Sequence, residues 1–163
     1  MGLLFTSKRM FVVGYGWVGR GVAERSRGMG GNVIVTEIDP VKALEAHMDG
    51  FQVMPMAQAA KVGQIFITCT GMTSVIRKDH LLSMSDGAVV GNVGHFDVEI
   101  DTAFLLNKSK SIKEVRPSLD ECRHVELRLL AIFGDALDSH FSQIRQKLSH
   151  EVTHILLLQT EKS

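Results

Sequence analysis

Four short apolar runs mark the N-terminal half of the chain: "MFVV" at 10–13, "VIV" at 33–35, "IFI" at 65–67 and "AVV" at 88–90. Each is continuous rather than alternating, the pattern of a strand buried on both faces of a parallel sheet. Roughly 20 to 30 residues separate successive runs, room for a crossover helix each time, so they predict repeated βαβ units with right-handed connections. The intervening stretches carry helix punctuation. Asp39-Pro40 reads as an N-cap followed by proline at the first helical position, and Val41, Leu44 and Met48 recur on one face until Gly50. "GMGG" at 28–31 ends a helix that starts near Trp17. The class expected is α/β, a doubly wound parallel sheet.

Past Pro117 the pattern weakens, although "LRLLAIF" at 127–133 is a candidate late strand. The tail is plainer: Leu137, Phe141, Ile144, Leu148, Val152 and Ile155 keep helical spacing, which predicts an amphipathic helix over 135–158. The expected organisation is a single domain over 1–134 and a C-terminal helix within 135–163, packed on the domain or on a partner.

Composition narrows the partners. The 163 residues suit one domain, and 18 basic against 18 acidic side chains provide no field to favour nucleic acid or an anionic membrane. The longest apolar runs fall far short of the roughly 20 residues needed to cross a bilayer. No signal segment opens the chain, so a cytoplasmic protein is expected. "MGLLFT" fits a loose myristoylation pattern that is too short to carry weight. Cys69 and Cys122 are too few for a disulfide framework and are read as reduced thiols.

Gly14, Gly16 and Gly19 form G-x-G-x-x-G directly after the first strand and at the mouth of a helix. In a Rossmann-type unit the first glycine makes the tight turn, the second lets backbone approach a pyrophosphate, and the third lets helix lie close on sheet. The helix N-terminus supplies N–H groups and partial positive charge to the phosphates. Glu37, at the end of the second strand, is placed to accept hydrogen bonds from the adenosine ribose hydroxyls and to repel a ribose phosphate, which favours NAD over NADP. Asp39 competes for that duty, but its place before Pro40 assigns it to capping. "TCTGMT" and "GNVGHFDVEID" follow the third and fourth runs, where ligands collect in open α/β sheets. His95 in the second loop is either a site residue or a histidine bonded to its own loop. "HEVTH" at 150–154 matches the H-E-x-x-H zinc pattern, but His150 and His154 point away from the apolar stripe of their own helix and have no third ligand in view. No zinc is expected.

"GYGWVGRGVA", "VIVTEIDPVKALEAHMDGF", "IFITCTG", "DGAVVGNVGHFDVEID" and "IKEVRP" together resemble the NAD-binding domain of the adenosylhomocysteinase family, especially its archaeal-like branch. The likeness covers residues 8 to 117. It implies backbone contacts to the pyrophosphate from Gly16, Trp17 and Val18, and a ribose contact from Glu37. Thr68, Cys69 and Thr70 would wall the adenosine-side cleft, and Val93, Gly94 and His95 would reach the nicotinamide. In the family, bound NAD oxidises the 3′-hydroxyl of the adenosyl sugar, homocysteine is eliminated, water adds and the hydride returns. The family's substrate domain, which handles the protons, is expected to be missing here, so no catalytic residue is assigned. The region after "IKEVRP" also departs from the family pattern. The resemblance therefore implies an NAD-binding unit that is inactive in S-adenosylhomocysteine hydrolysis unless a substrate domain complements it, and a homo-oligomer is expected. The alternatives are a non-catalytic NAD-responsive module acting through a partner protein, and the cofactor half of a small dehydrogenase.

Overall fold

Residues 8–93, 97–116, 119–123 and 128–132 are described by the structure, a computed structural model. The strands are β1 (Arg9–Val13), β2 (Asn32–Thr36), β3 (Gln52–Val53), β4 (Ile65–Thr68), β5 (Ala88–Asn92), β6 (Ser111–Arg116), β7 (Leu119–Arg123) and β8 (Arg128–Ile132). Between them lie the helices α1 (Trp17–Gly28), α2 (Pro40–Met48), α3 (Met56–Val62), α4 (Lys78–Ser83) and α5 (Thr102–Lys108). All eight strands join one sheet in the order β3-β2-β1-β4-β5-β8-β7-β6. From β3 to β8 every neighbouring pair is parallel, and the β8-β7 and β7-β6 pairs are antiparallel. The fold is the doubly wound Rossmann-type α/β sheet.

The four apolar runs became β1, β2, β4 and β5, and their continuity has the expected cause. Met10, Val12, Val33, Val35, Ile65, Ile67 and Val89 pack on one face of the sheet, with Ala23 of α1 and Ala46 of α2 over them. Phe11, Val13, Ile34, Phe66, Ala88 and Val90 pack on the other, under Ala59 and Ala60 of α3, Leu81 of α4 and Leu105 of α5. Alternate residues serve opposite faces, so a strand covered on both sides needs no polar position. Phe11 and Phe66 are register partners on neighbouring strands, with stacked rings 5.4 Å apart.

Two features depart from the hydrophobic pattern. Val41, Leu44 and Met48 do share one face of α2, but that face is turned outward, 65%, 59% and 78% exposed. At about 100° per residue Ala43 and Ala46 lie on the opposite side, and Ala46 is fully buried. The small side chains let the helix settle on the sheet, and the larger ones are left in solvent. The second departure is the pair β6 and β7, whose charged sequences "SIKEVR" and "LDECR" contain no apolar run. They extend the sheet to an edge where charge is tolerated, while the more apolar β8 takes the inner place beside β5.

The expected 135–158 helix, "HEVTH" and the opening "MGLLFT" lie outside the described residues, as do Gly94 and His95. Among the described residues no helix is long and apolar enough to cross a membrane, and no group of three or more His, Cys, Asp or Glu is placed to hold a metal ion.

Candidate functional site

The chain returns to β1 as the hub: β2 and β3 lie on one side of it, β4 and β5 on the other. The carboxyl end of β1 is therefore a topological switch point, where the loops after β1 and β4 diverge and leave a crevice. Residues 14–16 cross that end and lead into α1.

Gly14 has φ +98, a backbone conformation costly to a side chain, and a Cβ there would stand 2.7 Å from the Thr70 methyl. Its N–H donates to the Thr36 carbonyl at 2.8 Å, which fastens the turn to the end of β2. Gly19 lies inside α1, and a Cβ on it would overlap the Gly14 carbonyl oxygen. Helix and turn are in contact through the missing side chain. Gly16 differs, because a Cβ there meets nothing within 4 Å. Among the described residues no packing demands this glycine, which leaves space beside it. Gly16 is also the N-cap of α1 and offers no side-chain cap. The first bond back along the helix runs from Arg20 N to Gly16 O, so the amides of Trp17, Val18 and Gly19 have no acceptor further back in the helix. A terminus of this kind has the donors and the partial positive charge to receive an anion.

Glu37 sits immediately after β2, half-buried, and its carboxylate is already engaged. Oε2 accepts from Tyr15 N at 2.7 Å, while Oε1 accepts from Ile38 N at 2.7 Å and Asp39 N at 3.1 Å. A carboxylate has about four acceptor positions, so one remains, on Oε2. Asp39 caps α2, its Oδ1 accepting from Val41 N at 2.9 Å and Lys42 N at 3.4 Å. Ile38, between the two acids, is 96% exposed, and Trp17 at the head of α1 is 91% exposed. Their apolar surface stands at the crevice mouth. Neither exposure is visible in a hydrophobicity pattern, because an isolated apolar residue between two acids reads the same whether it is buried or not.

Tyr15, in the glycine turn, is a buried residue whose role was not visible in the sequence. Its hydroxyl donates to Asp49 Oδ2 at 2.7 Å, its ring packs edge-on against Phe51, and the Arg20 guanidinium lies 5.3 Å from the ring centroid. Arg20 also pairs with Glu45 at 3.3 Å and Asp49 at 3.4 Å. Burial first, and then the bond to Asp49, push the Tyr15 hydroxyl from its ordinary 10.0 up to about 12. The turn is thereby pinned to the far end of α2.

Thr68, Cys69 and Thr70 leave β4 on the side of β1 opposite Glu37. Thr68 is fully buried and its hydroxyl lies 3.0 Å from Asn92 Oδ1 on β5. Cys69 N donates to Val13 O and Val93 N to Thr68 O, so the exits of β1, β4 and β5 are stitched together. Burial, with the negative charge of Glu99 second, raises the Cys69 thiol well above the ordinary cysteine range. The open room beside Gly16, the amides at the head of α1 and the remaining acceptor position on Glu37 are compatible with a dinucleotide in this crevice.

The family described as S-adenosyl-L-homocysteine hydrolase, NAD binding domain, matches residues 1–136. Adenosylhomocysteinase of Nostoc sp. is 54% identical over 132 residues, covering 81% of this chain and 31% of the relative. S-inosyl-L-homocysteine hydrolase of Methanocaldococcus jannaschii is 56% identical over 119 residues, covering 73% of this chain and 29% of the relative. Among solved structures, the pyruvate reductase of Chlamydomonas reinhardtii superposes with a TM-score of 0.53 at 26% identity, over 61% of this chain and 30% of its own. Matches to the curated relatives thus take in about a third of their length.

Proposed function

The chain belongs to the S-adenosyl-L-homocysteine hydrolase NAD-binding domain family, and from that premise we propose how its residues hold the cofactor and what they do with it. NAD is the cofactor of the family domain. We assign the pyrophosphate to the amides of Trp17 and Val18 beside Gly16, with Gly14 and Gly19 shaping the turn. Glu37 takes one ribose hydroxyl at its remaining acceptor position, and the exposed Ile38 lies against the adenine. Thr68, Cys69, Thr70 and Val93 line the crevice beyond the phosphates, and we assign Gly94 and His95 to the nicotinamide end on the family resemblance alone. The observation that carries this reading is the unfilled space at Gly16 directly before a helix N-terminus with unspent amides.

When bound, NAD supplies reversible hydride transfer at a sugar carbon. The protein's own part is to bind and orient it. Acid–base steps need groups positioned on the substrate side, and the chain spans about a third of the length of the curated relatives it matches, so we propose that hydrolysis of an S-nucleosyl-homocysteine requires protein beyond these 163 residues. Relatives named for the adenosyl and the inosyl substrate match this unit at 54% and 56%, which supports a cofactor unit indifferent to the substrate base. We place the protein in the cytoplasm, with a substrate domain or a second copy of this chain as its partner.

Calorimetry with NAD and NADP tests the core of this reading. Micromolar or tighter NAD with weaker NADP is expected, and equal affinities would overturn the assignment of Glu37. Adding a substrate domain of a relative to the chain tests the second part: S-adenosylhomocysteine hydrolysis should need both, and activity of the chain alone would refute it.

A further inference from the structure

Glu99 closes a short 3₁₀ turn, Asp97–Glu99, beyond β5, and it is fully buried. Its Oε2 accepts from both the amide and the hydroxyl of Thr70, at 2.9 and 2.6 Å. Its backbone carbonyl accepts from Val75 N at 2.8 Å and Ile76 N at 3.0 Å. Thr70 Oγ1 in turn accepts from Met72 N at 3.0 Å, and the Thr70 methyl stands against Gly14. A continuous path thus runs from the exit of β5, through the exit of β4, to the glycine turn. The other oxygen, Oε1, is buried with no hydrogen-bond partner among the described residues.

That second oxygen makes Glu99 an expensive staple. A buried carboxylate oxygen without a donor costs stability, and loops can be joined more cheaply by apolar packing. What the carboxylate adds is direction: two charge-assisted bonds to one residue fix the backbone and the side chain of Thr70 together. We propose that Glu99 is a positioning residue, holding the 69–72 loop against the glycine turn so that the side of the crevice away from Glu37 is preformed for the nicotinamide half of NAD. This rests on the NAD reading above for the identity of the ligand, but the clamp itself exists without ligand.

Two measurements on the full chain separate the two. In the ligand-free protein, Glu99→Gln and Thr70→Val should each speed hydrogen exchange at the Thr70 and Met72 amides while leaving β1 and β2 amides protected. Unchanged exchange at 70 and 72 would overturn the clamp whatever the ligand proves to be. In the second, Glu99→Gln should weaken NAD roughly five- to tenfold, the difference between a charge-assisted and a neutral bond. AMP, placed on the Glu37 side by the reading above, should bind as before, and the melting temperature should change little, because Gln keeps neutral hydrogen bonds to Thr70 while removing a buried charge. The double variant should be no weaker for NAD than the more severe single. Parallel loss of AMP, NAD and stability would show a core residue and not a positioning one. Wild-type protein that failed to bind NAD would refute the ligand, with the exchange result still deciding the clamp.

Discussion

The amide of Tyr15, in the glycine turn after β1, donates to Glu37 Oε2 at 2.7 Å. The acid that would receive the ribose therefore also holds the turn that would receive the phosphates. Glu37→Ala should remove the acceptor of three backbone amides at once. It is expected to cost about 2 kcal/mol of stability, since bonds to a charged acceptor contribute roughly 1.5 to 3 kcal/mol each and the three are not additive. NAD affinity should fall, and NADP affinity should not rise to replace it. Urea melts and calorimetry check both, and a clean switch to NADP would show that Glu37 acts on the ribose alone.

The glycines should separate into two kinds. Gly16→Ala places a methyl in open space and should leave the melting temperature within a degree or two while NAD binding collapses. Gly19→Ala drives a methyl into the Gly14 carbonyl and should lower the melting temperature markedly before any ligand is added. Thermal melts of the two ligand-free variants give the comparison, and similar stabilities would contradict it.

Tyr15 should make the fold sensitive to alkali. Its folded pKa is raised from 10.0 to about 12, so above pH 10 the unfolded chain loses this proton while the folded one keeps it. Its stabilising contribution is complete below pH 10 and falls as pH rises toward about 12. Tyr15→Phe should flatten that part of the stability profile and cost about 0.5 to 1.5 kcal/mol at neutral pH through the lost bond to Asp49. Denaturant titrations of the two proteins between pH 8 and 11.5 would show curves that converge.

Both thiols should be slow toward a disulfide reagent at pH 8. Cys122 is buried, and the half-buried Cys69 thiol is shifted upward by desolvation and then by the Glu99 charge, which favours the protonated form that does not attack. Two thiols should react promptly in denaturant and neither in the folded protein. Rapid labelling of Cys69 before unfolding would mean that its sulfur is reachable and ionised.

The stripe of Leu137, Phe141, Ile144, Leu148, Val152 and Ile155 is proposed as a partner or self-association surface. Phe141→Asp with Leu148→Asp should convert an associated wild-type chain into a folded monomer that still binds NAD, read by sedimentation and calorimetry. If the stripe instead covers its own domain, the double variant loses thermal stability at constant mass. A wild-type chain monomeric at every concentration excludes self-pairing.

Much of this protein is determined by signals that act over a few residues. Apolar runs this short and rich in β-branched residues favour strands covered on both faces, Gly14 can take a positive φ, Asp39 can cap the helix that Pro40 begins, and Glu37 falls just after the second run. These are properties of one segment and its periodicity. They placed four of the six parallel strands firmly, and with them the crevice. Tertiary structure decided what those segments do to one another. The outward face of α2 was settled by Ala43 and Ala46 fitting closer to the sheet than Leu44 could, a comparison of two faces that the stripe alone does not make. The strands β7 and β6, which extend the sheet beyond β8 to its edge, have too little apolar content to announce themselves and form on the open ladder of backbone groups that β8 offers. Tyr15 and Glu37 are 22 residues apart, and Thr70 and Glu99 are 29 apart. Such pairs meet only after the sheet has brought the ends of its strands together, because a hydrogen bond depends on distance in space and no local pattern of residues encodes it.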